Sequence, residues 1–205
     1  MVLTKHKVWL TKSALHIGCA LPLIWLYIQI ELDNLGGDPV QYIIHFLGMG
    51  VLHTLVLTLL ISPLAKRFKV GWLLRSRRAI GLWSFAYLVL HIFSFLAFDL
   101  LFDWSLLLSE IIKRPYITVG MIASIIMLAL ALTSPQLIQR KMGRRWQLLH
   151  KLVYLVAILG PIHFWWSVKS GNVEPAIYLL IFMALLWWRR PVKQISRRSG
   201  LASTK

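Results

Sequence analysis

Long apolar runs alternate with short polar segments along this chain, and the runs have the length of membrane spans. A helix needs about 20 mostly apolar residues to cross a hydrocarbon layer. Six runs are candidates, roughly 8–30, 42–62, 79–98, 116–133, 147–168 and 173–188. The last is the shortest, and Pro175 stands near its start. Helix breakers punctuate the pattern: Gly36, Gly37 and Pro39 share one connection, Pro63 and Pro135 follow the second and fourth runs, and Pro115 precedes the fourth. Tryptophans such as Trp9, Trp72, Trp104, Trp146 and Trp188 fall near run ends, where an indole meets both lipid and water. The pattern predicts an all-α integral membrane protein, a six-transmembrane-helix bundle forming a single domain over residues 1–205. The connections are too short to hold a separate soluble domain, so chemistry outside the bilayer falls to a partner.

Charge orients the runs. All seven acids, Glu31, Asp33, Asp38, Asp99, Asp103, Glu110 and Glu174, lie in three connections that hold only Lys113, Arg114 and Lys169 among the bases. The other 20 of the 23 Lys and Arg residues occupy the N-terminal segment, the alternate connections and the tail. Lys and Arg near span ends stay on the cytoplasmic side, so both termini are expected in the cytoplasm and the span count is expected to be even. Lys5, Lys7 and Lys12 before an apolar run mimic a signal peptide, but the run is long and shows no clear cleavage site, so it is read as a retained first span. Composition agrees: the chain is 58% hydrophobic, above the range of soluble domains. A net charge of +16 first suggests a nucleic-acid partner. The clustering of that charge between apolar runs points to a lipid bilayer with anionic headgroups, and to no nucleic acid. Cys19 is the only cysteine, which excludes an internal disulfide and a thiolate metal site.

Candidate chemistry rests on histidine. His16, His45, His53, His91, His150 and His163 lie in or at the edges of spans, while span interiors hold no acid. That removes the carboxylate relay of proton-driven pumps. Neutral imidazole is an axial ligand of haem iron, and helix bundles build cofactor sites from facing helices. Depth selects a pair. His91 lies about 12 residues into the third run, about 18 Å deep, and His163 lies 13 residues beyond His150, about 20 Å further along the fifth. His91 and His163 therefore share one half of the bilayer and can grip one haem iron from opposite faces. His150 is left at the cytoplasmic end. Arg77, 14 residues before His91 and within about 40° of its face, stands at matching depth. An inner cofactor between Arg77 and His150 would be singly ligated, unusually ligated, or of another kind, since arginine suits a propionate or phosphate rather than iron. Thirteen residues put His150 and His163 about 140° apart on an ideal helix; Gly160 and Pro161 lie between them and allow a kink. His16 and His53 are read as structural or as hydrogen-bond donors, and His45 as solvated at the rim or near a partner. Gly48 and Gly50 are expected to permit close helix packing. Arg75, Arg77 and Arg78 are span anchors that can also meet a propionate or a flavin phosphate.

With these residues in view the chain resembles the MsrQ family, within the ferric-reductase-like transmembrane group. The segments that carry the likeness are GGDPVQYIIHFLG (36–48), TLLISPLAKRF (58–68), RSRRAIGLWSFAYLVLH (75–91), KRPYITVG (113–120) and LTSPQLIQRKMGRRWQLLHKLVYLVAILGPIHFWWSVK (132–169). The wider group tends to carry two histidines on each of two helices; Arg77 stands where one of these is expected. The resemblance implies a multi-pass protein of the bacterial inner membrane with haem b, in one or two copies, and FMN. It implies electrons drawn from the quinone pool, or from a cytoplasmic flavin reductase. It implies their delivery to an MsrP-like periplasmic molybdopterin reductase subunit that repairs oxidised methionine. The acidic connections around 33–41 and 99–115 would suit a basic patch on that partner. Two other readings compete: a stand-alone ferric or quinone reductase of the same fold, and a cofactor-free small transporter or scaffold. No G-x-G-x-x-G follows a strand, which weighs against an NADPH-driven version.

Overall fold

A computed structural model describes residues 5–168 and 173–189. Lys169 and the basic tail residues Arg190, Lys193, Arg197, Arg198 and Lys205 lie outside the described residues. Among the described residues there are helices and turns and no strand. The α-helices among the described residues are α1 (Lys5–Glu31), α2 (Pro39–Arg67), α3 (Arg77–Ser94), α4 (Trp104–Lys113), α5 (Pro115–Leu132), α6 (Gln136–Met142), α7 (Arg144–His150), α8 (Val153–Ser167) and α9 (Val173–Trp188); a 3-10 turn at Gly71–Ser76 and a π turn at Phe95–Asp99 flank α3. Among the described residues five stretches are long and apolar enough to cross a membrane: Trp9–Glu31, Pro39–Arg67, Gly71–Asp99, Pro115–Leu132 and Arg144–Ser167. They match the first five expected spans. The expected sixth is α9, which at 16 residues is about 24 Å long, short of the roughly 30 Å hydrocarbon layer.

Local chemistry sets the helix starts. The Asp38 carboxylate accepts from the backbone N–H of Gln41 at 3.0 Å and Pro39 occupies the first turn of α2, a position that needs no N–H. The Asp103 carboxylate accepts from Ser105 and Leu106 at the start of α4. These two N–H donors, Leu106 first, hold the Asp103 carboxyl below the usual carboxylate range. Pro115 opens α5.

Three expectations need correction. The connection 99–115 is not a plain loop: it carries α4, tied to α5 by the Glu110–Arg114 ion pair and by Thr118 donating to the Ile111 carbonyl at 2.7 Å. Pro63 does not end the second span. α2 runs through it to Arg67, because only the carbonyl one turn earlier loses its partner. The fifth span is broken at Lys151 and Leu152, not at Pro161, which lies inside α8. The N–H groups of Lys151, Leu152 and Tyr154 bond three residues back, a tightened turn that rotates α8 relative to α7.

The core lies where α2, α3, α5, α8 and α9 meet, around Leu55, Leu59, Leu88, Met127, Ala157 and Phe182. α2 packs chiefly on α3, and α5 on α8. α1 is peripheral, with 11% of its span buried against 39% for α2, so most of its surface faces lipid. Two polar contacts fasten it to α3: Tyr87 donates to the Cys19 carbonyl at 2.8 Å, and Trp83 donates to His16 Nδ1 at 2.9 Å. His16 is therefore structural, as an acceptor.

Candidate functional site

His91, near the end of α3, and His163, near the end of α8, face each other between the helices. Their ring centroids are 6.4 Å apart and their planes cross at 86°. His91 Nδ1 lies 2.9 Å from the Ile44 carbonyl on α2, and His163 Nδ1 lies 2.7 Å from the Tyr116 carbonyl on α5. A carbonyl can only accept, so each Nδ1 carries the proton. In both neutral rings Nε2 is left with its lone pair, the form that binds a metal.

The same local device seats both rings. Ile44 and Tyr116 are followed four residues later by Gly48 and Gly120. A Cβ at Gly48 would lie 3.2 Å from His91 Cε1, and one at Gly120 only 2.7 Å from His163 Nδ1. Each imidazole thus lies in the notch that a glycine leaves, and bonds the carbonyl one turn before it. The device repeats along the chain: His163, Tyr116 and Gly120 follow His91, Ile44 and Gly48 by 72 residues each, and Ser134–Pro135 follows Ser62–Pro63 by the same interval. The α2–α3 and α5–α8 pairs are internal counterparts. In this register Arg78, not Arg77, is the counterpart of His150.

Arg77, Arg78 and His150 come together around a cavity of about 440 Å³ at the basic end of these four helices. Arg77 reaches Ser62 Oγ at 3.4 Å, and Arg78 donates to Ser134 Oγ at 3.1 Å. His150 stacks on Trp146, centroids 4.0 Å apart. Its Nε2 lies 3.1 Å from Thr133 Oγ1, whose own proton goes to the Ala129 carbonyl at 2.7 Å. The hydroxyl therefore accepts from His150 Nε2–H. His150 does not share the arrangement of the outer pair. It presents Nδ1, with cationic neighbours suited to an anionic group.

A metal centre between His91 and His163 passes a simple test of size. With a metal–nitrogen bond of about 2 Å and a ring nitrogen about 1.1 Å from its centroid, two imidazoles on opposite sides of one metal have centroids about 6.2 Å apart. The observed 6.4 Å fits. Among the described residues no group of three or more His, Cys, Asp or Glu is gathered to hold a metal. The remaining ligands would have to come from the cofactor itself, as in a porphyrin.

The family model described as "Ferric reductase like transmembrane component" matches residues 44–161, which include His91, His150 and the carbonyl-bearing segments. Curated relatives match further. Those from Salmonella paratyphi B, Salmonella heidelberg and Salmonella schwarzengrund are each 46% identical over 199 residues, covering 92% of this chain and 100% of the relative. Each is named "Protein-methionine-sulfoxide reductase heme-binding subunit MsrQ". The chain belongs to the MsrQ family. No solved structure matches it significantly. The five long apolar helical stretches among its described residues make this MsrQ family member a multi-pass membrane protein.

Several features of this MsrQ family site escaped sequence reasoning. The carbonyls of Ile44 and Tyr116 carry no side-chain signal, although the Gly-Met pairs at 48–49 and 120–121 mark their helices. Thr133 and Trp146 were unremarked as partners of His150. His53 is held by Tyr178, with Nε2 2.5 Å from the hydroxyl oxygen. His45 lies beside Glu174 at 3.9 Å, half exposed, with its ring on Phe164.

Proposed function

We propose that this chain is the membrane electron-transfer subunit of a methionine sulfoxide reductase system, with haem b iron held by His91 and His163. The observation that carries the reading is the 6.4 Å spacing of two rings whose Nδ1 atoms are both committed to backbone carbonyls. The haem, when bound, supplies one-electron redox chemistry; the chain sets its ligands and burial. Ile44 and Tyr116 hold the imidazoles in the metal-binding tautomer, and Gly48 and Gly120 give them room. Leu88, Ala123 and Phe164, each within one turn of His91, Gly120 or His163 on its own helix, belong to the buried core.

The charge pattern supports a bacterial inner-membrane location with both termini cytoplasmic and α9 as a sixth crossing. The acid-bearing face is then periplasmic. Electrons come from quinol or a cytoplasmic flavin reductase and leave to an MsrP-like periplasmic molybdopterin subunit. The inner cavity takes a planar anionic group, a second haem b or FMN, with Arg77 and Arg78 toward its acidic substituents and His150 alongside.

The test is spectroscopic. The purified chain should show a Soret band that shifts on dithionite reduction, and His91→Ala or His163→Ala should abolish or severely alter it. Reoxidation of the reduced chain should accelerate when the periplasmic reductase is added. A colourless chain, or equal reoxidation rates with and without that enzyme, would defeat the corresponding half of the reading.

A further inference from the structure

α4 connects two spans on the acid-bearing side, following the stretch Gly71–Asp99 and preceding Pro115–Leu132. With ten residues it is about 15 Å long, roughly half the hydrocarbon thickness, so it does not cross. At about 100° per residue its side chains sort into two arcs. Leu107, Ile111, Trp104, Leu108 and Ile112 fill one; Ser105, Ser109, Lys113 and Glu110 fill the other, with Leu106 among them. The protein covers only half of the apolar arc. Leu107 and Ile111 are partly buried, on the side where Thr118 of α5 donates to the Ile111 carbonyl. Trp104 and Leu108 are each 63% exposed, and Ile112 at 83% is the most exposed of the large apolar residues described.

The bare stripe continues a surface that already faces lipid. The turn before α4 holds Leu101 and Phe102 at φ 48° and 59°, a left-handed backbone that glycine adopts with less strain. Both side chains are exposed, and the Phe102 ring lies 6.1 Å from that of Phe93, an exposed residue of α3. On the other flank Ile122 and Ile125 are exposed on α5. A basic protein surface finds few free acids here: the Asp103 carboxylate caps α4, and Glu110 pairs with Arg114.

We infer that α4 is an interfacial helix, with its Trp104–Leu108–Ile112 stripe among the lipid acyl chains of the leaflet on the acid-bearing side, and that this anchor positions the start of α5. Helices of this kind keep an apolar face in the acyl boundary and a polar face in water. An indole at Trp104 and a long cationic stem at Lys113 suit that depth. The second half rests on the reading of His163 as an iron ligand. Arg114, paired with Glu110 of α4, donates to the Tyr116 hydroxyl at 3.1 Å. The Tyr116 carbonyl holds His163 Nδ1 at 2.7 Å. α4 is therefore tied, within one turn, to the group that fixes the ring.

The experiment uses the haem-loaded chain in lipid nanodiscs. Nitroxide labels are placed one at a time through Leu108→Cys, Ser109→Cys, Ile112→Cys and Lys113→Cys; Cys19 is buried, and the wild-type chain treated with the label is the blank. Collision with oxygen, which concentrates in lipid, is compared with collision with a water-soluble nickel chelate. Labels at 108 and 112 should favour oxygen, and labels at 109 and 113 the chelate. Preference for the chelate at 108 and 112 would put the stripe in water. Shielding from both would put it under protein, a second copy included. Either result would overturn the inference. The paired variant Leu108→Gln, Ile112→Gln should raise amide exchange at 107–113 about tenfold or more, since one leucine carries over a decade of partitioning. It should also speed haem transfer to apomyoglobin about fivefold, the weight of one hydrogen bond. Leu106→Gln, on the polar arc, should change neither. Unchanged exchange in the paired variant would overturn the anchor, and unchanged haem transfer would overturn the positioning of α5. A chain without a haem spectrum would overturn the ligand assignment instead, and the label depths would still decide the anchor.

Discussion

Gly120→Ala adds one methyl group where the His163 ring already sits. The new Cβ would lie 2.7 Å from Nδ1, 2.8 Å from Cε1 and 3.3 Å from Cγ. Ordinary contact requires roughly 0.7 Å more, so either the ring or α5 must move. Moving the ring by that amount stretches the 2.7 Å bond to Tyr116 to about 3.4 Å, beyond the useful range of an N–H···O bond. Overpacking of this kind costs about 1–3 kcal/mol, and the lost hydrogen bond about 1 kcal/mol more. If the loss falls on the haem-bound state, affinity drops by a factor of roughly 30 to 700 at 1.4 kcal/mol per decade. Backbone preference predicts the opposite sign, because alanine is the better helix former by about 1 kcal/mol. Gly48→Ala is the graded comparison: its Cβ would meet His91 at 3.2 and 3.3 Å, so a shift of a few tenths of an ångström suffices. Gly18→Ala meets nothing within 4 Å. Haem per chain, titrated during reconstitution, should fall in the order Gly18→Ala, Gly48→Ala, Gly120→Ala, with the Gly18 variant equal to wild type. Full haem content and an unchanged spectrum in Gly120→Ala would refute the notch argument.

Other consequences are direct. Gly50→Ala drives a Cβ into the buried Tyr87 ring and should cost about 1–3 kcal/mol, seen as a lowered melting temperature in detergent. Tyr87→Phe removes the bond to the Cys19 carbonyl; a loss of about 1 kcal/mol should lower Tm by about 2–4 °C, and an unchanged Tm would show that α1 is held otherwise. Asp103 titrates below its ordinary value because Leu106 and Ser105 donate to its charged form. Its cap is therefore fully present above about pH 4 and is lost as pH falls through the lowered value. Amides 105–107 should lose exchange protection under that acid condition in wild type but not in Asp103→Asn, which keeps a capping oxygen without the charge. His150→Ala should leave the spectrum of the His91–His163 haem in place and remove only a second chromophore; loss of the whole Soret band would contradict separate sites.

Much of the fold was legible because lipid imposes coarse rules. A run such as 42–62 must be helical to satisfy its own backbone, and the sorting of Asp38 and Glu174 from Arg77 and Arg145 follows from membrane insertion. The candidate pair was legible for the same reason: rise per residue gives depth, and depth matched His91 with His163. Rotation was not. The ideal-helix phase between His150 and His163 depends on every residue between them, and the tightened turn at Lys151 and Leu152 has neither glycine nor proline to announce it. The backbone partners were hidden because any residue type supplies a carbonyl; only the glycine four residues later leaves a trace. Helix α4 was missed although Asp103 stands at its N-cap, because its apolar residues, with Leu108 and Ile112 exposed, look like a loop between spans. Depth and helix phase pair Arg77 with His150; the 72-residue repeat makes Arg78 the positional counterpart, and both guanidinium groups line the inner cavity with His150.

The ligand assignment is tested most directly by electron paramagnetic resonance of the oxidised, haem-loaded chain beside its His91→Ala and His163→Ala variants. Rings crossed at 86° predict a strongly anisotropic low-spin ferric signal in wild type, replaced by high-spin iron or by loss of haem in each variant. A wild-type signal that persists unchanged in either variant would mean that the iron is held elsewhere.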